Sequence, residues 1–354
     1  MYVKNTNSYN NLSIRELHLF AGIGGGIYGG MLLGHKCIGA IEIDDFCCSI
    51  LKQRQKDKWM DDFDIENDLT KISGEKYINK FDVLCGGFPC QAFSTAARGR
   101  NIKEKDLWKE MCRFIKESEA PIVFAENVTQ KAIEIAQKDL SSLGYIVVIS
   151  RISNHLLGAS HQRNRFWALA VKKDKKELLI SMYKKFQQSI LISGRFWTKQ
   201  IAECGKVCVP TERRKQLKAL GNAQSPLVAA VAFRILTNRL YKQILDRTIN
   251  NKISITPSKA ELDKVFKYRI NWIHQKFGHD FGFIHTPTTM ANYSAPSMMK
   301  HRGCRNFVEV FNKPNPDNAE WLMGFPINAS SSIAQSKDNL NIWKNLILSD
   351  EEIQ

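Results

Sequence analysis

Along the first 170 residues, short apolar runs alternate with stretches in which apolar side chains recur every three or four positions. The short runs, near 15–20, 36–42, 81–86, 122–126, 145–150 and 166–171, read as strands; the periodic stretches predict helices near 27–34, 45–56, 105–117 and 130–142, with a later one near 222–240. Alternation of this kind predicts an α/β fold, a mostly parallel sheet with helices on both faces. After residue 250 the pattern fails, and Thr286 to Pro296 is rich in turn formers and small polar residues, as a loop would be. No internal repeat is visible.

Two predicted strands run into turns with chemical potential. Phe81-Asp82-Val83-Leu84-Cys85 reads as a buried strand, and Phe88-Pro89-Cys90-Gln91 follows it as a sharp Pro-containing turn carrying a thiol. Backbone N–H groups at the end of a strand can stabilise a thiolate, the reactive form of cysteine. Taken alone, Cys90 reads first as a buried structural cysteine. The other turn lies upstream, where Glu16 to Phe20 leads into Ala21-Gly22-Ile23-Gly24-Gly25-Gly26 and a helix start. Gly24, Gly26 and Gly29 fit a G-x-G-x-x-G pattern, and Glu42 closes the next apolar run where an acid meeting a ribose hydroxyl is expected. That pattern suits a nicotinamide dehydrogenase as well as an S-adenosylmethionine enzyme.

Charge sharpens the picture through its placement. The 354 residues carry a formal net charge of +16. Residues 1–170 hold 22 basic against 20 acidic side chains, residues 171–250 hold 17 against 5, and residues 251–354 hold 12 against 10. A near-neutral first half followed by a basic segment is what a protein tracking phosphates needs. Lys172-Lys173-Asp174-Lys175-Lys176 on its own reads as a solvated face. No apolar stretch approaches the roughly 20 residues that span a bilayer, and the polar opening to Asn11 does not read as a signal peptide. Nine irregularly placed cysteines do not read as a disulfide framework, which points to a reducing, cytoplasmic setting. Cys204 and Cys208 form a lone C-x-x-x-C, and no metal is expected there.

Five blocks occur in order: Phe20-Ala21-Gly22-Ile23-Gly24-Gly25, Gly87-Phe88-Pro89-Cys90-Gln91-Ala92-Phe93-Ser94, Phe124-Ala125-Glu126-Asn127-Val128, Arg163-Asn164-Arg165 and Leu220-Gly221-Asn222-Ala223-Gln224. Together they resemble the cytosine-5 DNA methyltransferase family of bacterial or phage type. The resemblance implies a Rossmann-like S-adenosylmethionine methyltransferase sheet plus a smaller irregular DNA-recognition region. It implies methyl transfer from S-adenosyl-L-methionine to C5 of a flipped-out cytosine in duplex DNA. Cys90 would add to C6, Glu126 would hold N3, Asn127 would order the turn, and Arg163 and Arg165 would fix the base. Around the cofactor it implies Phe20, Ala21, Gly22 and Gly24 at the methionine and ribose portion, Glu42 on the ribose hydroxyls and Asp68 on the adenine amino group. Ile43 would pack on the adenine face, Pro89 and Leu107 would line the pocket, and Asn222 would close it.

Two departures from the family pattern stand out. His161 occupies the position where glutamine usually precedes the arginine pair, and it is given no catalytic role. Between the arginine block and the Gly-Asn block there is room only for a short insert, about 40 residues being marginal for an independent core. The expected organisation is therefore a catalytic domain over 12–171, a short basic insert over 172–210, a late-motif helix over 211–245 packing back on the catalytic domain, and a recognition or capping region over 250–354. Base reading is expected to be shared between insert and tail, with Gln91, Ser94, Lys300, Arg302 and Arg305 on DNA. The protein is expected to be a monomer, and a cognate restriction endonuclease is left open. Cytosine-5 methylation of structured RNA and a non-catalytic DNA-binding role stay open as alternatives.

Overall fold

The computed structural model describes residues 13–89, 107–198, 211–246, 254–268, 272–285, 295–312 and 315–348. Its centre is a seven-stranded sheet. In chain order the first elements are β1 (Arg15–Leu19), α1 (Gly25–Leu32), β2 (Lys36–Ile41), α2 (Asp45–Lys56), β3 (Asp64–Glu66), β4 (Val83–Gly87), α3 (Leu107–Glu117), β5 (Ile122–Asn127), α4 (Gln130–Ser142), β6 (Tyr145–Ser153) and β7 (Asn164–Lys172). The strands lie in the order β3-β2-β1-β4-β5-β7-β6. The first five run parallel, whereas β7 is antiparallel to both β5 and β6. All six residues of β5 are buried, because helices cover both faces. Leu84, Val123 and Ala125 point into the apolar layer under α3 and α4; Val83, Cys85, Ile122 and Phe124 point the other way, toward α1 and α7.

The chain leaves β1 for β2 and β3 on one side and returns to β4 on the other. That reversal opens a crevice beyond the carboxyl ends of β1 and β4, the place where such sheets bind ligands. The glycine turn follows β1, Glu42 follows β2, Asp68 follows β3, Phe88 follows β4, and Glu126 lies near the end of β5. Five strand ends thus converge on one edge.

The remainder of the chain is more ordered than its composition suggested. After β7 come α5 (Lys176–Gln187), β8 (Ile192–Ser193), α6 (Arg213–Asn222) and α7 (Pro226–Leu245). Next are α8 (Lys259–Asp263), β9 (Phe266–Lys267), α9 (Trp272–Phe277), α10 (Arg302–Phe311), α11 (Pro316–Met323) and α12 (Lys337–Leu348). α7 lies against α1, α5 and β6. It also corrects the reading that no apolar stretch nears membrane length. The helical run Arg213–Leu245 reaches a mean hydropathy of 1.2 over 18 residues, but 83% of that window is buried inside the protein, so it is a core helix.

The last two helices are built into the main core. The fully buried guanidinium of Arg54 on α2 donates to the carbonyls of Asn328, Ser331 and Ile333 at 3.0, 3.0 and 2.7 Å. The indoles of Trp197 and Trp343 donate to the carbonyls of Trp321 and Gly324, and Ser225 Oγ donates to the carbonyl of Met323 at 2.6 Å. Residues 254–312 therefore form an excursion between two anchored parts. The excursion pairs β9 with β8 in a separate two-stranded sheet, meets the main sheet where the Ile255 carbonyl accepts from the Arg151 N–H of β6 at 2.7 Å, and bonds through Ile284, whose N–H donates to the Ser160 carbonyl at 2.8 Å.

Candidate active site

A cleft of about 870 Å³ opens at the carboxyl edge of the sheet. Phe20, Ala21, Gly22, Glu42, Ile43, Asp68, Pro89, Leu107 and Asn222 line it, and so do Glu126 and Arg165. Gly24 stands just behind, in a left-handed conformation (φ +87°) that favours glycine and turns the chain into α1. The carboxylate of Glu42 accepts from the N–H of Gly22 at 2.6 Å and of Asp44 at 2.8 Å, clamping the end of β2 to the glycine turn. Asp68 accepts from the amide and hydroxyl of Thr70, which hold its carboxyl below the usual range, with Lys71 alongside. Ile43 is 71% exposed at the rim, an uncovered apolar ledge beside these acids. Lys215 and Lys218 of α6 also line the cleft, and Lys218 reaches across to Asp44 at 3.2 Å. Sequence reasoning gave neither lysine a role.

Glu126 is the centre of the deeper end. It is buried, and burial raises its pKa against the opposing pull of Arg165, Arg163 and Gln224. Its Oε1 lies 3.0 Å from Arg165 Nε as an ion pair, but without the alignment of a hydrogen bond, so Oε1 keeps an open acceptor direction. Gln224 Nε2 donates to Oε2 at 3.5 Å. The next residue, Asn127, donates from Nδ2 to the Phe88 carbonyl at 2.9 Å and accepts from Thr129 N–H, tying the end of β5 to the turn after β4. Cys90, Gln91 and Ser94 lie outside the described residues, as do Cys204 and Cys208.

The two arginines do different things. Arg165 faces the cleft and Glu126, whereas the buried Arg163 donates from Nη2 to the carbonyls of Gly221 and Ala223 at 2.9 and 2.8 Å, holding the late motif in place. His161 is fully buried, pairs as an isolated bridge with Ile284, and has no hydrogen-bond partner on either ring nitrogen. Burial, then Arg163 and Arg165, push its pKa down to about 3, so the ring is neutral. In the tail, Lys300, Arg302 and Arg305 are exposed and away from the cleft lining. Arg302 donates to the carbonyls of Asp280 and Phe281, and Arg305 to those of Met299 and Lys300. Glu16, His18 and Cys85 bring three donor atoms within 4.8 Å of one another, but the carboxylate oxygens of Glu16 are already engaged by imidazole hydrogen bonds, and we assign no metal there.

The chain matches the family described as C-5 cytosine-specific DNA methylase over residues 14–327. It is 31% identical over 180 residues to the type II methyltransferase M.CviJI of Paramecium bursaria Chlorella virus IL3A, covering 48% of this chain and 47% of that protein. It is 26% identical over 170 residues to the type II methyltransferase M.HhaI of Haemophilus parahaemolyticus, covering 46% of this chain and 50% of that one. The chain thus spans about half the length of these curated relatives. A solved structure of a Spodoptera frugiperda DNMT2 variant aligns over 46% of this chain and 51% of its own, at 17% identity and a TM-score of 0.39. The family match runs from the strand before the glycine turn, through all five motif blocks, to the segment after α11, and this chain belongs to the C-5 cytosine-specific DNA methylase family.

Proposed function

We propose that this protein transfers a methyl group from S-adenosyl-L-methionine to C5 of a flipped-out cytosine in a specific duplex DNA sequence, through a covalent bond between Cys90 and C6. The observation that carries this reading is the placement of Glu126. A buried carboxyl group with a raised pKa and one open oxygen stands in the same cleft as the acids and apolar ledge suited to a nucleoside, and Asn127 bonds the turn that leads into Cys90.

The residues present fit such a cofactor. Ile43 offers an apolar face for a purine, Glu42 and Asp68 offer acceptors for hydroxyl and amino groups, and the glycine turn leaves backbone close to the cleft floor. Bound there, the sulfonium supplies an electrophilic methyl group. The protein supplies the rest. Cytosine C5 is a weak nucleophile until a thiolate adds to C6, and that addition places negative charge on N3, which Glu126 neutralises by proton or hydrogen-bond donation. After C5 takes the methyl group, loss of the C5 proton and departure of the thiolate restore the aromatic ring and the free cysteine. Arg165, 3.0 Å from Glu126, anchors the carboxyl group and presents a planar guanidinium to the base site.

Sequencing for 5-methylcytosine in DNA from cells expressing the protein tests this reading, with transfer RNA from the same cells as the second arm. Methylation confined to one short DNA motif is expected. Unmodified DNA, or methylation confined to RNA, would overturn it.

A further inference from the structure

One buried polar cluster next to the cleft has no part in the chemistry above. Glu16 on β1 accepts from His18 Nε2 at 3.0 Å and from His35 Nδ1 at 2.6 Å, and the three side chains are no more than 4% exposed. Burial alone would raise the Glu16 pKa; His35 and His18 outweigh it and bring it down to about 2, so the group is a carboxylate. A buried carboxylate held by two imidazoles is costly to build into a sheet, and α1 makes room for it with glycine. Gly26 and Gly30, four residues apart and therefore on one helix face, lie over His18 and Glu16 respectively.

The cluster ends at Gln224. A Cβ on Gly26 would stand 2.6 Å from Gln224 Oε1 and 3.2 Å from His18 Nδ1, so those two atoms flank the same point. A Cβ on Gly87 would stand 2.9 Å from Gln224 Nε2 and 2.7 Å from Glu126 Oε2. Gly25 lies against the Gln224 backbone carbonyl. Three glycines, two at the start of α1 and one at the end of β4, thus form a slot for this one residue, with its amide between His18 on one side and Glu126 on the other.

We propose that the His35–Glu16–His18 chain is a positioning device for Gln224, which in turn holds the carboxyl group of Glu126. An amide can face a carboxylate with either end, and only the NH2 end is attractive. With Nε2 of His18 tied to Glu16, the ring is held with its Nδ1 edge beside the Gln224 amide, closing the side of the slot away from Glu126 and keeping the amide within reach of Glu126 Oε2. His35 holds the other Glu16 oxygen through Nδ1, and its buried Nε2 has no hydrogen-bond partner. The inference rests on Glu126 being the acid of the reaction, but the arrangement can be read without turnover.

The test follows the Glu126 side-chain carbon by NMR titration in protein free of DNA and methyl donor, where the neighbouring charges are Arg163 and Arg165. Gln224→Met should raise the titration midpoint by about half a pH unit or more, because a donor to the ionised form is lost. His18→Phe should raise it in the same direction, and the double variant should go no further than Gln224→Met alone. If His18→Phe does not fold, Gly26→Ala displaces the same amide from the helix side and should give the same shift. In turnover, His18→Phe should lower kcat about tenfold with the KM for the methyl donor within about twofold. An unmoved midpoint in folded His18→Phe or Gly26→Ala protein, or additive shifts in the double variant, would overturn the proposal. So would a raised methyl-donor KM at unchanged kcat, which would make His18 a cofactor contact. Absence of DNA methylation by the parent protein would instead count against the functional reading, since the titration does not depend on it.

Discussion

Glu126 illustrates how one residue's environment sets its chemistry. Its burial disfavours the charged form, Arg165 and Arg163 restore part of it, and the open Oε1 is where a ring nitrogen can meet it. Glu126→Gln is expected to lower the single-turnover rate by about 10²-fold or more while leaving calorimetric cofactor affinity within about twofold. Because burial raises the Glu126 pKa, its acid form persists above the ordinary carboxylate range and is lost as pH rises through the raised value. The parent should therefore show a falling alkaline limb from this group that Glu126→Gln lacks. A second expectation concerns Glu42 and Asp68. Either alanine variant should weaken S-adenosylmethionine binding more than DNA binding, and unchanged calorimetric affinity in both would contradict their assignment. Glu42 was legible in the sequence because it closes a predicted strand after the glycine turn, and Asp68 only through the family resemblance. Gln224 and His18 were not, since their meeting depends on three elements brought together by sheet order. Nor could the sequence say that Arg163 would hold the Gly221 and Ala223 carbonyls while Arg165 faced the cleft.

At the level of elements, the strong periods carried well. α2 and α4 begin and end where the predicted helices do, and the six predicted strands are all present. β3 escaped notice because three residues are too few for a period, and the antiparallel direction of β7 is set by a return connection that patterning does not encode. The tail shows the opposite failure, for local signals were there and were outweighed by its turn-rich composition. Asn315 caps α11 by accepting from Asn318 N–H at 2.7 Å, Pro316 starts the helix, and Gly324 ends it in a left-handed conformation (φ +76°). α11 and the following turn then anchor to α2 through Arg54. Removing that guanidinium would orphan three carbonyls and leave Asp57 as an unpaired buried charge. Arg54→Leu is expected to cost about 3–5 kcal/mol of stability in urea unfolding. A loss below about 1 kcal/mol would show that the tail is held by its apolar contacts alone.

For the molecule as a whole, the positive charge is concentrated from the end of β7 through α7. The insert that holds α5 carries Lys172, Lys173, Lys175 and Lys176 near its start, and the excursion over 254–312 returns to the core at α11. If the insert grips phosphates, replacing those four lysines should weaken binding to all duplexes alike and flatten its salt dependence. If α10 reads bases, Arg302 and Arg305 variants should change which sites are methylated, at about 1–3 kcal/mol of discrimination per guanine contact. Their present bonds to carbonyls of the excursion leave further donors on each guanidinium for that purpose. A parental motif methylated at a reduced level, with no relaxed position, would assign both arginines to structure or phosphate contact.

The covalent route through Cys90 is the central claim, and 5-fluorocytosine probes it most directly because fluorine at C5 cannot leave as a proton. A pool of random duplexes containing this base, incubated with the protein and S-adenosylmethionine, should yield a protein–DNA adduct that survives denaturation. Peptide mass spectrometry should place the adduct on Cys90, and Cys90→Ser should abolish it. Methylation of ordinary duplex DNA without any trapped adduct, or an adduct on a different residue, would contradict the account.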